Sequence, residues 1–327
     1  MKRQLLGVAA FMLALSAHAQ DNPLWMRYCA ISPDGTSIAF TYKGDIYTVP
    51  VNGGKAAQIT TNAAHDTHPV WSPDGKQIAF ASDRMGSMDI FVVDREGGIP
   101  KRLTTHSGNE TPVAFKDADH ILFLANVMPS AEDAQFPSGQ FQQVYEVSTT
   151  GDRPVMFSSM PMEDISINKT GNALLYHDKK GYEDPWRKHH TSSITRDIWL
   201  CSLDGKRSYR KLTSFNGEDR TPVWASDGKS FYYLSEEKGS FNVFKRALDG
   251  TTSTQLTHHT KHPVRFLTAA DNGTLCYGYD GEIYTMKEGT EPRKVQISIL
   301  TDKNDKDLIR QIRRNGATEI ALSPDAK

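Results

Sequence analysis

One pattern of short β-forming runs, each closed by a turn, fills about forty residues from His68 to Thr104. A run ends at Pro73-Asp74-Gly75, where proline fixes φ and glycine permits the positive φ of a tight reversal. Ile78 and Phe80 alternate with small residues, which is typical of a half-buried strand. Four antiparallel strands of this size make one propeller blade. The runs are Pro69–Ser72, Gln77–Ala81, Asp89–Val93 and Lys101–Thr104.

The pattern recurs along the chain. Pro33-Asp34-Gly35 precedes the equivalent turn at Pro73 by forty residues, and Ile38–Phe40 matches Ile78–Phe80. The sequence therefore predicts an all-β fold, a six-bladed β-propeller of four-stranded antiparallel blades over residues 20–298. Because all copies start in the same phase, we expect blade one to close the ring by plain packing on blade six. The six copies open at Arg27, His68, Thr111, Glu163, Thr221 and His262.

Two copies carry insertions. Blade three is interrupted at about residues 126–140 and blade four at residues 177–195. Loops that grow on one edge of a rigid scaffold are often binding sites. The second insertion mixes Tyr182 and Trp186 with Arg187, a composition that suits contact surfaces. The alternative is a loop that the two aromatic residues pack against its own blade.

The two ends of the chain differ from the repeats. Residues 1–19 combine basic Lys2 and Arg3 with an apolar run, Leu5–Leu15, and end in Ala17-His18-Ala19. This is the pattern of a cleaved signal peptide and predicts a periplasmic protein; the alternative is an uncleaved anchor. Residues 299–317 form a charged linker, and residues 318–327 resemble the first strand of a truncated second propeller. Since such a strand would have an open edge, we expect a longer protein.

Charge and cysteine content exclude some functions. The chain has 38 Lys and Arg against 39 Asp and Glu, a net charge of −1, which argues against a nucleic-acid partner. No apolar stretch after residue 19 is long enough to span a membrane. Cys29, Cys201 and Cys276 lie in predicted strands, where we expect small buried thiols.

Polar residues collect where the chain enters the first strand of a blade. If first strands are innermost, these residues meet around one mouth of a central channel and form a polar, pH-responsive collar. The alternative is ordinary solvated loop residues. Histidines of this set can in principle bind zinc, but no thiolate accompanies them, and we predict neither a metal site nor a cofactor. The candidates are His65, Asp66, His68, Glu110, Glu163, Asp164, Asp219, Arg220, His258 and His262.

The sequence has no recognisable catalytic signature. The chain has no Gly-x-Ser-x-Gly elbow, and no serine stands in a context that would activate it. The aspartates of the Pro-Asp-Gly turns are turn formers by position. The sequence therefore predicts no catalytic set within residues 1–327.

The repeat Ser-Pro-Asp-Gly-x-x-Ile-Ala-Phe, with its later Asp-Ile and Leu-Thr, resembles the propellers of TolB-like proteins, prolyl oligopeptidases and tricorn-type serine peptidases. The tricorn-type family is most similar, over the whole mature chain, from Pro23–Tyr28 to the linker. The insertion at residues 179–190 resembles that of Bacteroidetes tricorn homologues. The resemblance implies an oligomeric peptidase that degrades peptides, with its PDZ-like and catalytic domains beyond residue 327. In that family the six-bladed propeller is a channel that filters peptides, so we expect peptides and further copies of the chain as partners.

Two alternatives stay open. A TolB-type propeller would dock a partner protein and have no enzymatic domain. A propeller linked to an α/β-hydrolase would have a Gly-x-Ser-x-Gly motif downstream. The sequence that follows residue 327 distinguishes all three.

Overall fold

The computed structural model describes residues 23–126, 141–181 and 191–300. These residues form six four-stranded antiparallel sheets, with no helix among them, and confirm the predicted six-bladed propeller. Within this part of the chain, no helix is long and apolar enough to cross a membrane. Several predictions fall outside the described residues: the signal peptide, the truncated second propeller, and most of the linker and of the two insertions.

The strands of each blade follow one another in the sheet in chain order. Blades one to three comprise β1 Arg27–Ile31, β2 Ser37–Tyr42, β3 Asp45–Pro50 and β5 Ala57–Gln58; β6 Asp66–Trp71, β7 Gln77–Ser82, β8 Asp89–Asp94 and β9 Lys101–Arg102; β10 Glu110–Phe115, β11 His120–Ala125, β12 Gln143–Ser148 and β13 Val155–Ser158. Blades four to six comprise β14 Met162–Ile167, β15 Ala173–Asp178, β16 Ile198–Ser202 and β17 Ser208–Lys211; β18 Asp219–Trp224, β19 Ser230–Ser235, β20 Asn242–Ala247 and β21 Ser253–Gln255; β22 Arg265–Ala269, β23 Leu275–Tyr279, β24 Glu282–Met286 and β25 Arg293–Lys294.

The repeated turn is held by its own side chains. Asp74 Oδ1 accepts hydrogen bonds from Ser72 Oγ at 2.7 Å and from the Lys76 backbone N–H at 3.1 Å. The hydrogen bond from Ser72 is the main reason that the pKa of Asp74 is lowered. The aspartate therefore closes the turn between the first and second strands of the blade.

The repeated Leu-Thr at the end of a blade also has a structural reason. In four blades the threonine Oγ1 accepts a backbone N–H of the third strand at 2.9 Å. This side chain continues the ladder beyond the short fourth strand and satisfies a buried backbone donor. The donor and acceptor pairs are Ile46 with Thr60, Ile90 with Thr104, Ile198 with Thr213 and Val243 with Thr257.

The hydrophobic core lies between neighbouring blades. The second strand of each blade places an aromatic side chain at the same register position, and each of these six residues is at most 2% exposed. In addition, Trp71 Nε1 donates to the Ala30 carbonyl of the preceding blade at 2.9 Å, and Trp224 bonds Ser166 in the same way at 3.0 Å. The aromatic positions are Phe40, Phe80, Phe123, Tyr176, Tyr233 and Tyr277.

Ring closure involves more than the plain packing expected from the sequence. The short strands β4 Gly54–Lys55 and β26 Ile297–Ser298 pair in parallel, so the segment that follows blade six joins the edge of blade one. Met26 N also donates to the Gly281 carbonyl at 3.1 Å. Backbone hydrogen bonds thus reinforce the seam, although the N-terminal strand does not enter blade six.

The three cysteines are buried thiols, as the sequence predicted. Cys29 and Cys276 belong to the core cluster at the seam between blades one and six. Burial is the main reason that the pKa of Cys276 is raised, so its reactive thiolate form is disfavoured.

Candidate functional site

A central cavity of about 950 Å³ runs along the axis of the ring. Its walls are the first strands of all six blades, so these strands are innermost. One end lies where the first strands begin and the other where the Pro-Asp-Gly turns follow them. We call these the mouth and the turn end.

A β-bulge interrupts the first strand of every blade near the mouth. In five blades the bulged residue has a left-handed backbone although it is not glycine. Such strained positions persist only where the surrounding structure holds them, and bulges re-aim the side chain that they carry. Blade three has Pro112 at this position, and its ring excludes a positive φ. The five residues are Tyr28 (φ 51°), His68 (55°), Asp164 (49°), Thr221 (49°) and Phe266 (56°).

These equivalent residues form what we call the mouth ring. All six of its members line the cavity. The two sides of the mouth ring differ in chemistry. Blades six, one and two contribute aromatic side chains, whereas blades four and five, on the opposite side, contribute a carboxylate and a hydroxyl. The members are Tyr28, His68, Pro112, Asp164, Thr221 and Phe266.

Phe266, Tyr28 and His68 form an aromatic arc across blades six, one and two. The Tyr28 ring lies 3.7 Å from the His68 ring and 4.8 Å from the Phe266 ring, centroid to centroid. Gly278 on β23 leaves room for Phe266, since a Cβ there would lie 2.9 Å from Phe266 Cδ2. Burial lowers the pKa of His68 to about 4 and raises the pKa of Tyr28, so both rings are uncharged at neutral pH.

The polar side of the mouth ring consists of Asp164 and Thr221. Thr221 Oγ1 donates to Asp164 Oδ2 at 2.6 Å, and the Asp164 side chain is 46% exposed. Among the described residues, no donor lies within hydrogen-bond distance of Asp164 Oδ1. Asp164 belongs to blade four, which lies across the ring of six blades from blade one, so its carboxylate is on the side of the mouth opposite Tyr28.

Beside Asp164, Glu163 belongs to an ion-pair network that extends to the base of the second insertion. His177 Nε2 and Lys179 Nζ contact its carboxylate at 3.2 and 2.7 Å, and Arg196 Nε lies 3.5 Å away. Burial alone would raise the pKa of Glu163, but His177 and Lys179 together hold it well below its usual range. Glu163 is therefore a neutralised anion, in contrast to Asp164.

His177 connects this network to the mouth ring. Its Nδ1 accepts the Thr221 backbone N–H at 3.4 Å, while its Nε2 contacts Glu163. The same Nδ1 lies 3.5 Å from Asp164 Oδ2, so the His177 ring stands between the two carboxylates.

Three predicted collar residues point away from the cavity. Asp66, Glu110 and Asp219 occupy the same position, the first residue of the inner strand, and all are at most 2% exposed. Asp66 pairs with Arg84 at 3.0 Å, and Glu110 accepts a short hydrogen bond from Thr104. Burial raises the pKa of Glu110 and of Asp219 to about 7. The structure thus places these carboxyls within the blades.

The remaining predicted collar residues also lie off the cavity wall. Arg220 Nε donates to Glu218 at 2.8 Å, and its guanidinium lies 5.3 Å from the Phe241 ring. His262 Nε2 pairs with Asp280 at 3.2 Å. His65 and His258 are exposed. Of the ten candidates, the structure brings together His68, Glu163 and Asp164 on the wall. Within the described ranges, no group of three or more His, Cys, Asp or Glu side chains is placed to hold a metal ion.

Sequence reasoning overlooked Tyr28, Thr221 and Phe266. Each lies five residues before the turn of its blade, as His68 does, so copies aligned on their turns and not on their opening residues place them in one column.

At the turn end, one ion pair joins blades four and six. Lys169 Nζ of blade four lies 3.0 Å from Asp271 Oδ2 of blade six, with blade five between them, and both residues line the cavity. Their side chains are 84% and 58% exposed.

The family described as tricorn protease N-terminal beta propeller domain matches residues 23–292. Tricorn protease homolog 1 of Streptomyces coelicolor is 25% identical over 281 residues, which are 85% of this chain and 25% of that protein. The uncharacterized protein Atu1656 of Agrobacterium fabrum is 34% identical over 216 residues, 62% of this chain and 68% of that protein. The crystal structure of the tricorn protease superposes with a TM-score of 0.72 at 20% identity, covering 86% of this chain and 27% of that one.

The chain spans about a quarter of the length of the tricorn proteins that it matches. The matched region contains blades one to five and the first three strands of blade six, so the likeness concerns nearly the whole propeller. The chain belongs to the family of tricorn protease N-terminal beta propeller domains.

Proposed function

We propose that this chain is the propeller module of an exported tricorn-like serine peptidase that degrades peptides. In this proposal the module is not catalytic; it forms a channel with a gate through which peptides pass to or from the catalytic domain. Membership of the tricorn propeller family and the likeness to several tricorn protease homologues support a peptidase parent.

The observation that carries the channel role is the central cavity with its two unlike ends. Its volume of about 950 Å³ lies near the upper end of the ~300–1,000 Å³ typical of ligand sites. The mouth offers aromatic faces, a carboxylate and a hydroxyl, which suit a peptide that has both apolar and polar groups.

The Lys169–Asp271 pair is the proposed gate. An exposed ion pair contributes about 0–1 kcal/mol, because solvent and salt screen it. A contact of this strength can open and close at small cost, and both of its residues lie on the cavity wall at the turn end.

A cross-linking experiment tests the channel in the full-length protein. Lys169→Cys and Asp271→Cys are combined and joined by a short bismaleimide, and hydrolysis of a peptide of about fifteen residues is measured. The matched control joins Arg210→Cys and Asp249→Cys, another exposed pair at 3.2 Å, away from the cavity wall. We expect cross-linking at the turn end to slow hydrolysis and the control to have no effect. Equal rates for the two cross-linked proteins would contradict the channel role.

Export and assembly belong to the same proposal. Cleavage after Ala19 would release a periplasmic chain that starts at Gln20, and the full-length protein would form a homo-oligomer. Mass spectrometry of the secreted protein and light scattering measure these two properties. An intact N-terminus, or a monomer at micromolar concentration, would contradict them.

A second candidate is a TolB-like propeller that docks a partner protein and has no enzymatic domain. One observation favours it: a relative at 34% identity has 68% of its length covered by this propeller, so most of that protein is propeller. The reading frame downstream of residue 327 decides between the two. A PDZ-like region and a peptidase domain support the first function, and an early stop supports the second.

A further inference from the structure

The mouth ring has the composition of a site for a cationic group. Asp164 has an exposed carboxylate oxygen for which the described residues supply no donor, and its counterpart Oδ2 is held in place by Thr221. Opposite it, Phe266, Tyr28 and His68 present a continuous aromatic surface. Aromatic faces attract cations through the ring quadrupole, and a carboxylate supplies the full counter-charge.

The neighbouring charges leave Asp164 as the available anion at the mouth. Glu163 is ion-paired with Lys179 at 2.7 Å and accepts a hydrogen bond from His177 Nε2 at 3.2 Å. The lysines on the cavity wall are engaged toward the turn end, Lys116 with Glu146 at 2.8 Å and Lys169 with Asp271 at 3.0 Å. A carboxylate ligand at the mouth would therefore be repelled by Asp164, and no cation on the cavity wall beside Asp164 would offset this repulsion.

We propose that the mouth ring binds the protonated α-amino group of a peptide, with Asp164 as counter-ion and the aromatic arc as the opposing face. This inference rests on the proposed function, because it names the part of the peptide that the channel takes up first. The α-amino group has a pKa of about 7.7–8.0, so it is mostly charged at pH 7. The His68 imidazole is neutral there and does not repel it.

The left-handed bulges explain why the site is preorganised. Asp164, Tyr28 and His68 each adopt a backbone that ordinary residues avoid, and in that conformation they line the cavity. A fixed arrangement of this kind reduces the conformational entropy that the protein would otherwise lose when a ligand binds.

The test is a calorimetric titration of the whole purified chain at pH 7 with two probes, trialanine amide and N-acetyl-trialanine amide. We expect acetylation to weaken binding by at least about tenfold, since it removes the charge and one charge-assisted hydrogen bond. Asp164→Asn, which keeps the shape of the side chain, is expected to reduce the affinity for the free amine to that for the acetylated probe. Asp249→Asn, on an exposed residue away from the cavity wall, is the matched control and leaves both affinities unchanged.

A second variant examines the aromatic arc separately. Phe266→Leu keeps an apolar side chain but removes the ring, and we expect a loss of about threefold to tenfold for the free amine only. The control, Phe157→Leu, removes a ring that lies 4.1 Å from the Arg207 guanidinium, away from the cavity wall. Unchanged thermal unfolding shows that each variant is folded.

Three outcomes overturn the inference: equal affinity for the two probes, no binding of either probe, or binding that requires a free C-terminal carboxylate in N-acetyl-trialanine. If the probes bind alike while cross-linking at the turn end still slows hydrolysis, the proposed function survives and the amine site does not.

Discussion

The rings of Tyr28 and His68 lie with their centroids 3.7 Å apart and their planes tilted by 34°, although they belong to different blades. Each is the left-handed residue of a bulge in its inner strand. Two strained backbone positions thus cooperate to place one aromatic surface at the mouth of the cavity.

The burial of His68 makes stability depend on pH. The pKa of His68 is about 4 in the folded chain, against about 6.5 for the unfolded residue. The unfolded chain therefore takes up a proton first as the pH falls below about 6.5, and the stability that His68 contributes is lost between there and pH 4. Between pH 7 and pH 4, we expect the free energy of unfolding of His68→Phe to fall by up to about 3 kcal/mol less than that of the unchanged chain.

Urea unfolding at the two pH values measures this difference. The control is His258→Ala, since His258 is an exposed histidine that does not line the cavity. A His68→Phe variant that keeps the full pH dependence would contradict the burial argument.

The contribution of Glu110 to stability depends on pH in the opposite direction. Burial raises its pKa to about 7, so its protonated form is the one that suits the folded chain. Its contribution is complete below the unfolded pKa of about 4.3 and is lost as the pH rises through 7. Glu110→Gln keeps an acceptor for Thr104 and removes the buried charge, and we expect it to stabilise the chain by about 1–3 kcal/mol at pH 8.

The same variant should change little at pH 4, where Glu110 is largely protonated in both the folded and the unfolded chain. Glu96→Gln, with a side chain that is 88% exposed, is the control at both pH values. Destabilisation of Glu110→Gln at pH 8 would show that the ionised carboxylate is needed.

The seam between blades one and six can be tested at a single glycine. Gly53 and Gly97 occupy the same turn of blades one and two, and both have φ 88°. A Cβ at Gly53 would overlap the Gln296 carbonyl oxygen beside the parallel pair, whereas a Cβ at Gly97 would lie 3.6 Å from the Ile59 oxygen. We expect Gly53→Ala to lower the free energy of unfolding by about 1–3 kcal/mol more than Gly97→Ala. If chemical denaturation showed equal losses of unfolding free energy for the two variants, the parallel pair of β4 and β26 would not help to close the ring.

The sequence predicted the ring well because each blade repeats the same local signals. The Pro-Asp-Gly turn, the alternation around Phe80 and the terminal threonine each correspond to a bond or a packed ring in the structure. The parallel closure at Ile297 was not predictable in this way, because it depends on two short segments with no repeat signature.

The site was less predictable for a physical reason. In a regular strand, the side chains of Asp66, Thr67 and His68 would alternate, but the bulge after Thr67 breaks that alternation. Asp66 is therefore buried within its blade, whereas His68 lines the channel. Neither hydropathy nor charge reveals which residue of such a run becomes the left-handed one.

Photo-crosslinking is the most direct test of the account, because it reports where a peptide lies. A peptide with a free amino terminus and benzoylphenylalanine at its second position is irradiated with the chain, and the labelled residues are mapped by mass spectrometry. We expect the label on Tyr28, His68 and Phe266, with competition by excess trialanine amide. Labelling confined to the outer strands, or unaffected by the competitor, would contradict a peptide site at the mouth of the channel.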